Sequence, residues 1–409
     1  MAQLASDEVP HERTLPAREQ IQRDLQESRF HLGPFRILPR LVIRDSGYDS
    51  NIFGSSENPV SDWTADVGLG ARAILPAGRK IYFVAEAVPE YIWYARYSQR
   101  RTFGGLYRGS LLGFFNRMSV EVAGYDSKFP VILNSETETR VLQNLQDGSV
   151  RLEIDVTRTL SVFASGEVEH ARFSLGGQQP PQSVSLDVER LDRTDTASRA
   201  GIRYKVTPHF NVTLAAEGTR TNFVLDPGAR DNKSRAYLLG IHYDRPRFFV
   251  NLSGGYRKGG LCRCTGLFPS YETGTGSYFV SIIPARSLEV QLYGHRDVPY
   301  SLFQQNPYYV ETRNGGGPSV HIGRRVTLRA FGEYGTNAYA VPVEVESRPP
   351  VLRRDTATTY GGGLSISLFR NGVLTGLVSH TRYESNLPQF NRSVFRFTTG
   401  FSLEGEIPR

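Results

Sequence analysis

A short polar turn opens directly into alternating residues in Thr157-Arg158-Thr159-Leu160-Ser161-Val162-Phe163-Ala164. Alternation with a period of two sends successive side chains to opposite faces of a sheet, and turns of two or three residues join antiparallel neighbours. The same pattern returns at residues 116–120, 207–212, 245–250, 285–290 and 324–328. Each of these segments predicts a hairpin corner, and their repetition predicts an all-β chain.

The composition excludes one class of membrane protein and leaves another open. The chain has 409 residues with a mean hydropathy of −0.35, and no run approaches the ~20 apolar residues that a membrane helix needs. A transmembrane barrel remains compatible, because only every second residue of its strands faces lipid. The net charge is +7, but the arginines are scattered and form no basic helix, which argues against a nucleic-acid partner.

From Phe35 onward, about eighteen runs of roughly nine to fourteen residues follow one another without a helical interruption, and this length crosses a bilayer at a tilt. Short turns occur near residues 117, 158, 208, 246, 286, 324 and 371. Long loops are predicted at 97–103, 129–139, 174–192, 224–233, 258–272, 297–306, 338–355 and 385–390. Short connections at one end and long ones at the other are typical of an outer-membrane barrel with periplasmic turns.

A soluble sandwich or propeller also alternates apolar and polar residues, so the strand number decides between the architectures. A closed sheet of about eighteen strands is too wide for side chains to fill. Its inside must be wet and its apolar face must point outwards, which is stable only in lipid. The sequence predicts a closed antiparallel transmembrane β-barrel of about 18 strands over residues 34–409.

Residues 1–33 differ from the rest of the chain and are expected to form a periplasmic segment with a short helix at 14–28. Thr14 is the predicted N-cap, and a thin apolar stripe includes Ile21 and Leu25. The segment is either a partly ordered tail or a helix that packs in the barrel mouth or docks a periplasmic partner. The chain begins without a charged and apolar leader, so we expect the mature form of an exported protein, with the signal peptide absent.

One short region resembles a known family. Phe35-Arg36-Ile37-Leu38-Pro39-Arg40-Leu41-Val42-Ile43-Arg44, followed by Gly47-Tyr48-Asp49-Ser50-Asn51-Ile52-Phe53 and then Ser61-Asp62-Trp63, is similar to the opening of the beta-barrel porin 2 family. The resemblance implies a barrel in the bacterial outer membrane of the exopolysaccharide-export type. The chain departs from the family at its C-terminus. Members of the family usually end on an aromatic residue, whereas here Phe401 is followed by eight further residues.

No catalytic or cofactor site is predicted, so we expect a protein that is not an enzyme. The histidines are single, and the glycine-rich run at 314–318 lacks the Lys and Ser/Thr of a phosphate-binding loop. Asp45, Asp49 and Asn51 have the residue types of a Ca²⁺ cluster, but a solvated strand end with Asx turns is the preferred interpretation. Cys262 and Cys264 are expected to form a local strained disulfide or to be two free thiols, and no metal site is predicted.

Charged residues on the polar parity of their strands are the candidate lumen-lining residues. They are Arg72, Glu86, Arg108, Glu121, Arg151, Glu153, Glu167, Arg199, Arg203, Glu217, Arg257, Arg329 and Glu333. Folding the hairpin at residues 207–208 places Arg199 opposite Glu217, which predicts a cross-strand ion pair. Aromatic residues on the outward parity or at strand ends favour a membrane girdle over sugar stacking: Trp63, Tyr91, Trp93, Tyr204, Tyr256, Tyr334 and Phe395.

The leading functional hypothesis is a channel that passes hydrophilic material, with exopolysaccharide as the cargo that the resemblance implies. Two alternatives stay open: a barrel that scaffolds other envelope proteins, and a general solute porin. The expected partners are outer-membrane lipid, a polysaccharide cargo and a periplasmic partner bound through residues 1–33, with no nucleic acid.

Overall fold

The computed structural model of the chain describes residues 17–28, 30–133, 135–137, 139–175, 187–225, 230–260, 269–303, 306–345, 348–369 and 372–403. In these ranges one α-helix, α1 (Ala17–Glu27), precedes an antiparallel sheet of nineteen strands. Three single helical turns lie at Ser98–Arg100, Val188–Leu191 and Pro388–Phe390. None of the described helices is long and apolar enough to cross a bilayer.

The strands follow one another in chain order. They are β1 (Phe30–Leu32), β2 (Phe35–Asp49), β3 (Asp62–Ala77), β4 (Ile81–Tyr94), β5 (Thr102–Phe114), β6 (Met118–Ile132), β7 (Arg140–Asp155), β8 (Leu160–Ser174), β9 (Arg193–Thr207), β10 (Phe210–Phe223), β11 (Asn232–Arg245), β12 (Phe248–Gly259), β13 (Tyr271–Ala285), β14 (Leu288–Asp297), β15 (Tyr309–Ile322), β16 (Val326–Val345), β17 (Arg348–Phe369), β18 (Gly372–Ser385) and β19 (Arg392–Leu403).

The sheet closes on itself because β19 pairs with β2, from Arg396 opposite Asp49 to Leu403 opposite Leu41. Strands β2 to β19 therefore form an 18-strand barrel, and the short β1 pairs with the start of β2 as an extra strand. The predicted closed antiparallel barrel of about 18 strands is confirmed. The predicted lengths are too short for the longest strands, because β17 has 22 residues.

The corner at residues 157–164 is the predicted hairpin. β7 ends at Asp155 and β8 begins at Leu160, and the Thr157 hydroxyl accepts hydrogen bonds from the N–H groups of Thr159 and Leu160 at 3.2 and 2.9 Å. The Ser161 hydroxyl donates to Asp155 at 2.6 Å. Polar side chains thus satisfy the turn's own backbone, and the strands can pair from the first residue onward.

The connections have the predicted polarity. Turns of two to four residues lie at the end of the barrel that we call the short-turn end, and most connections at the opposite end, the long-loop end, have six to eighteen residues. The predicted loop at 338–355 is wrong, because β16 and β17 run on as a hairpin in which only residues 346–347 connect them. Pro342, Pro349 and Pro350 lie in this segment, and proline is depleted in strands, which is why the sequence predicts a loop here.

The strand β2 also extends further along the chain than its alternating pattern does. β2 continues to Asp49 through an irregular pairing with β3 between Arg44 and Gly47, where Asp45 takes a left-handed conformation with φ of 46°. A bulge of this kind inserts extra residues into one strand and shifts the alternation. The shift explains why the sequence pattern ends before the strand does.

The two faces of the barrel differ in composition. Leu69, Phe103 and Tyr237 are 68%, 72% and 69% exposed on the outer face, where many other large apolar residues are also exposed. Six of the seven predicted girdle aromatics are exposed there, and Trp93 is half-buried. The outside of the barrel is therefore an apolar surface that requires an apolar environment.

Candidate functional site

Strand register places all thirteen predicted lumen residues on one face of the sheet. The residues that contact α1 and the loops described below share this parity, so this is the inner face of the barrel. Six of the predicted residues form three ion pairs, which the sequence analysis did not predict. Arg108 lies 3.4 Å from Glu121, Arg203 lies 2.5 Å from Glu153, and Arg257 lies 2.9 Å from Glu217.

The predicted register of Arg199 opposite Glu217 is confirmed, but the predicted ion pair between them is wrong. The Glu217 carboxylate binds Arg257, which lies two strands away, and the guanidinium of Arg199 stacks on Phe163 at 6.0 Å. The residue between Glu217 and Arg257 on β11 is Ala236. Its small side chain leaves room for the arginine to reach across, which strand register alone does not reveal.

Two of the predicted residues bind partners that the sequence analysis did not name. Arg72 lies 3.0 Å from Asp24 of α1, and Glu86 accepts a hydrogen bond from Arg40. The remaining four, Arg151, Glu167, Arg329 and Glu333, lie on the same inner face by strand register.

Two loops at the long-loop end fold into the barrel. We name the connection between β6 and β7 (residues 133–139) the third loop and the connection between β14 and β15 (residues 298–308) the seventh loop. On the third loop, the Ser135 hydroxyl accepts a hydrogen bond from the Asn337 side-chain amide at 3.0 Å and lies 3.3 Å from the Tyr309 hydroxyl. The backbone carbonyl of Ser135 accepts from Arg392 at 3.0 Å.

These contacts place the third loop across the lumen. β6 and β15 are nine strands apart in an 18-strand ring, and so are β7 and β16. Strands nine positions apart in such a ring face each other, so a loop from β6–β7 that binds Tyr309 of β15 and Asn337 of β16 reaches the opposite wall. The third loop narrows the barrel at this level.

Glu136 at the tip of the third loop joins it to the seventh loop. Its carboxylate accepts from the Ser301 hydroxyl at 2.7 Å and from the Leu302 backbone N–H at 2.9 Å, and lies 3.9 Å from the guanidinium of Arg353. The side chain is fully buried. Burial raises the pKa of Glu136, although Arg353 and the two hydrogen bonds act in the opposite direction.

Arg353 completes this junction and is itself only 2% exposed. It lies 2.7 Å from Asp355, and three aromatic rings surround it at 5.0 Å (Phe303), 4.5 Å (Tyr339) and 3.6 Å (Phe390). The three aromatic faces and the carboxylates of Asp355 and Glu136 together offset the free energy that the guanidinium loses when it is removed from water. One arginine therefore links β17, the third loop, the seventh loop and the connection before β19.

The seventh loop is fastened to the wall on its other side. The Tyr300 hydroxyl donates to Thr221 at 2.8 Å and accepts from the Asn232 side-chain amide at 3.2 Å, and Arg230 donates to the carbonyl of Ser301. Thr221 lies on β10 and Asn232 on β11, several strands from β14 and β15. The seventh loop thus also lies inside the barrel.

Apolar side chains of these two loops, of the connection between β8 and β9 and of the inner wall pack together. The cluster comprises Leu133, Val141, Leu145, Ala171, Phe173, Val188, Leu191, Phe223 and Leu302. The expectation of a wet interior is therefore wrong for this sector, where loops pack against the inner face as a small dry core. Apolar residues on the otherwise polar parity of β7 and β8 are the sequence signal that could have identified it.

The candidate Ca²⁺ cluster is a set of ion pairs instead. The Asp49 carboxylate accepts from Arg140 and from Arg396, each at 3.0 Å, and from the backbone N–H of Asn51 at 2.8 Å, while Arg140 also lies 3.5 Å from Asp45. The Asx turn is confirmed, but the strand end is not solvated, because Asp49 is buried. No three His, Cys, Asp or Glu side chains of the described ranges could hold a metal ion together. Cys262 and Cys264 lie outside those ranges.

Comparison with known proteins gives similarity in fold alone. No protein-family model matches the chain, and no curated protein matches its sequence. The solved structure of OccAB3 from Acinetobacter baumannii aligns over 90% of this chain and 99% of its own, at 9% identity and a TM-score of 0.51.

Two further structures match to the same degree. The outer membrane protein OpdK from Pseudomonas aeruginosa aligns over 90% of this chain and 99% of its own, at 9% identity and a TM-score of 0.53. A BenF-like porin from Pseudomonas fluorescens Pf-5 aligns over 91% and 99%, at 11% identity and a TM-score of 0.52. This chain therefore shares the 18-strand barrel fold of these proteins over nearly its whole length.

Proposed function

We propose that the protein is a bacterial outer-membrane channel through which small hydrophilic solutes diffuse. The apolar outer face fits a barrel surrounded by outer-membrane lipid, and the charged inner face fits an aqueous path. The thirteen charged residues on the inner face are proposed to line this path. The similar folds of porins such as the BenF-like protein support this assignment.

The observation that carries the proposal is the crossing of the lumen by the third loop. Ser135 and Glu136 bind residues on the opposite wall and on the seventh loop, so the barrel is narrowed where a wide conduit would be open. A narrowed path favours single small solutes over a polymer. One similar structure, OccK2 from Pseudomonas aeruginosa, was solved in complex with glucuronate, and we propose solutes in that size range for this protein.

The exopolysaccharide cargo rests on the resemblance of residues 35–63 to one family. The structural comparisons support the general solute porin instead, which was an alternative reading of the sequence. We therefore make the solute porin the proposed function.

The test combines planar bilayers with liposome swelling. The purified barrel is expected to conduct ions and to admit mono- and disaccharides, with uptake falling steeply for longer oligosaccharides. Conductance together with equal uptake of long oligosaccharides would favour polymer export. Absence of current, with or without residues 1–33, would contradict any channel function and favour the scaffolding barrel.

A further inference from the structure

The helix α1 lies inside the barrel. Ile21 is only 2% exposed and inserts into a socket on the inner wall, and Leu25 packs against its edge. The socket consists of Leu38, Ile74, Tyr82, Val84 and Leu112. These side chains belong to β2, β3, β4 and β5, so α1 covers four adjacent strands.

The position of the socket along the strands gives the depth of the helix. Tyr82 is the second residue of β4, and Leu112 lies two residues before the end of β5, so both are next to the turns of the short-turn end. Their chain neighbours Phe83 and Leu111 are exposed on the outer face. The socket therefore faces inward, and α1 sits in the short-turn mouth of the barrel.

A polar contact fixes the orientation of the helix on the wall. Asp24 lies 3.0 Å from Arg72, and both side chains are largely buried. A buried ion pair gives little net stability because both groups lose water, but it disfavours other orientations. Burial of Ile21 in the apolar socket is the main stabilising contribution.

The opposite face of α1 is polar and points into the lumen. Arg18, Gln22 and Gln26 are exposed, in contrast to Ile21 and Asp24. A helix with its side chains is about 10 Å wide. An element of this width on one wall reduces the cross-section that remains for solutes at this mouth.

The chain after α1 keeps the helix in place. The Ser28 N–H donates to the Asp24 carbonyl at 2.9 Å, and β1 then turns back at Gly33, with φ of 59°, to pair with the start of β2. Only seven residues separate α1 from β2. This tether ties the helix to the strand that carries part of its socket, which fits a resident element better than a segment that docks on a separate protein.

We propose that α1 is a resident restriction element that sets the size limit of the pore at its short-turn mouth. The inference rests on the proposed channel function and adds the element that selects solutes by size at this end. The Ile21 socket holds the helix against the wall, and its polar face lines the remaining path.

The test compares two substitutions that add the same charge to adjacent residues. Ile21→Asp places a carboxylate in the apolar socket and is expected to undock α1, which raises single-channel conductance and lets larger uncharged polyethylene glycols enter the pore from the short-turn side. Entry from the long-loop side, where the third loop stays in place, is expected to be unchanged. Gln22→Asp adds its charge to the face that lines the path, so it is expected to alter ion selectivity while α1 stays docked and the exclusion size for uncharged polyethylene glycols matches that of the wild type. Removal of residues 1–27 is expected to match Ile21→Asp, and it carries the test if that variant fails to fold.

Heat-modifiable mobility on gels reports whether each barrel is intact. An intact Ile21→Asp or truncated barrel with the wild-type conductance and exclusion size would overturn the restriction role while leaving the channel in place. A wild-type protein and variants that all conduct no ions would overturn the channel function and the restriction role together.

Discussion

At the scale of single residues, Glu136 connects pH to the docking of the third loop. Its raised pKa means that the docked loop binds a proton more readily than the free loop does. The free energy that proton binding adds to docking of the third loop is fully present below pH 4.5, the ordinary pKa of a glutamate side chain. It is lost as the pH rises through the raised pKa of Glu136. We expect fewer opening events in single-channel recordings at pH 4.5 than at pH 7, and a weaker pH dependence in Glu136→Gln. More frequent opening of the wild type in acid would contradict the assignment.

Arg353 is the second residue on which the junction of the loops depends. Arg353→Ala leaves Glu136 buried without its cation, which typically costs about 3–5 kcal/mol for a buried pair. We expect the third loop to undock, the conductance to increase, and a protease specific for glutamate to cleave the intact barrel at Glu136. The matched control is Arg354→Ala, since Arg354 is the exposed neighbour. Equal resistance to cleavage in both variants would rule out this role.

At the scale of strands, β7 allows the two faces of the barrel to be compared at adjacent positions. Val150 is exposed on the outer face, and Ser149 lies on the inner face opposite Glu167. Val150→Arg is expected to destabilise the folded barrel in vesicles by about 2–4 kcal/mol if it lies near the middle of the membrane. Ser149→Arg places its charge beside Glu167 and is expected to fold like the wild type while changing ion selectivity. The reverse order of folding yields would invalidate the assignment of faces.

Periodicity predicted the strands because each barrel strand repeats the same physical contrast between lipid and lumen. It failed where a segment does not face these two environments. The arm of β16 and β17 beyond residue 339 extends past its neighbour β15, and the thin apolar stripe of α1 predicted a helix but not the socket that Ile21 occupies. Each of these contacts is made once in the chain, so it leaves no repeat in the sequence.

At the scale of the whole molecule, the parity of the inner residues was predictable but their partners were not. Alternation puts Glu217 on the inner face, yet the choice of Arg257 over Arg199 depends on side-chain reach across Ala236. The narrowing of the lumen by the third loop was less predictable still. Glu136 and Arg353 are more than 200 residues apart, and they meet only because the closed ring brings opposite walls within reach of one loop.

The closed ring also places two restrictions in series, α1 at the short-turn end and the paired loops at the long-loop end. Resistances in series add, so removing one leaves the other to limit the current. We therefore expect Ile21→Asp and Arg353→Ala each to raise the conductance moderately, and the double variant to raise it by more than the sum of the two increases. Single-channel conductance of the four proteins in one salt solution is the measurement. An increase in the double variant that equals or falls below the sum would show that α1 and the loops do not restrict the same path in sequence.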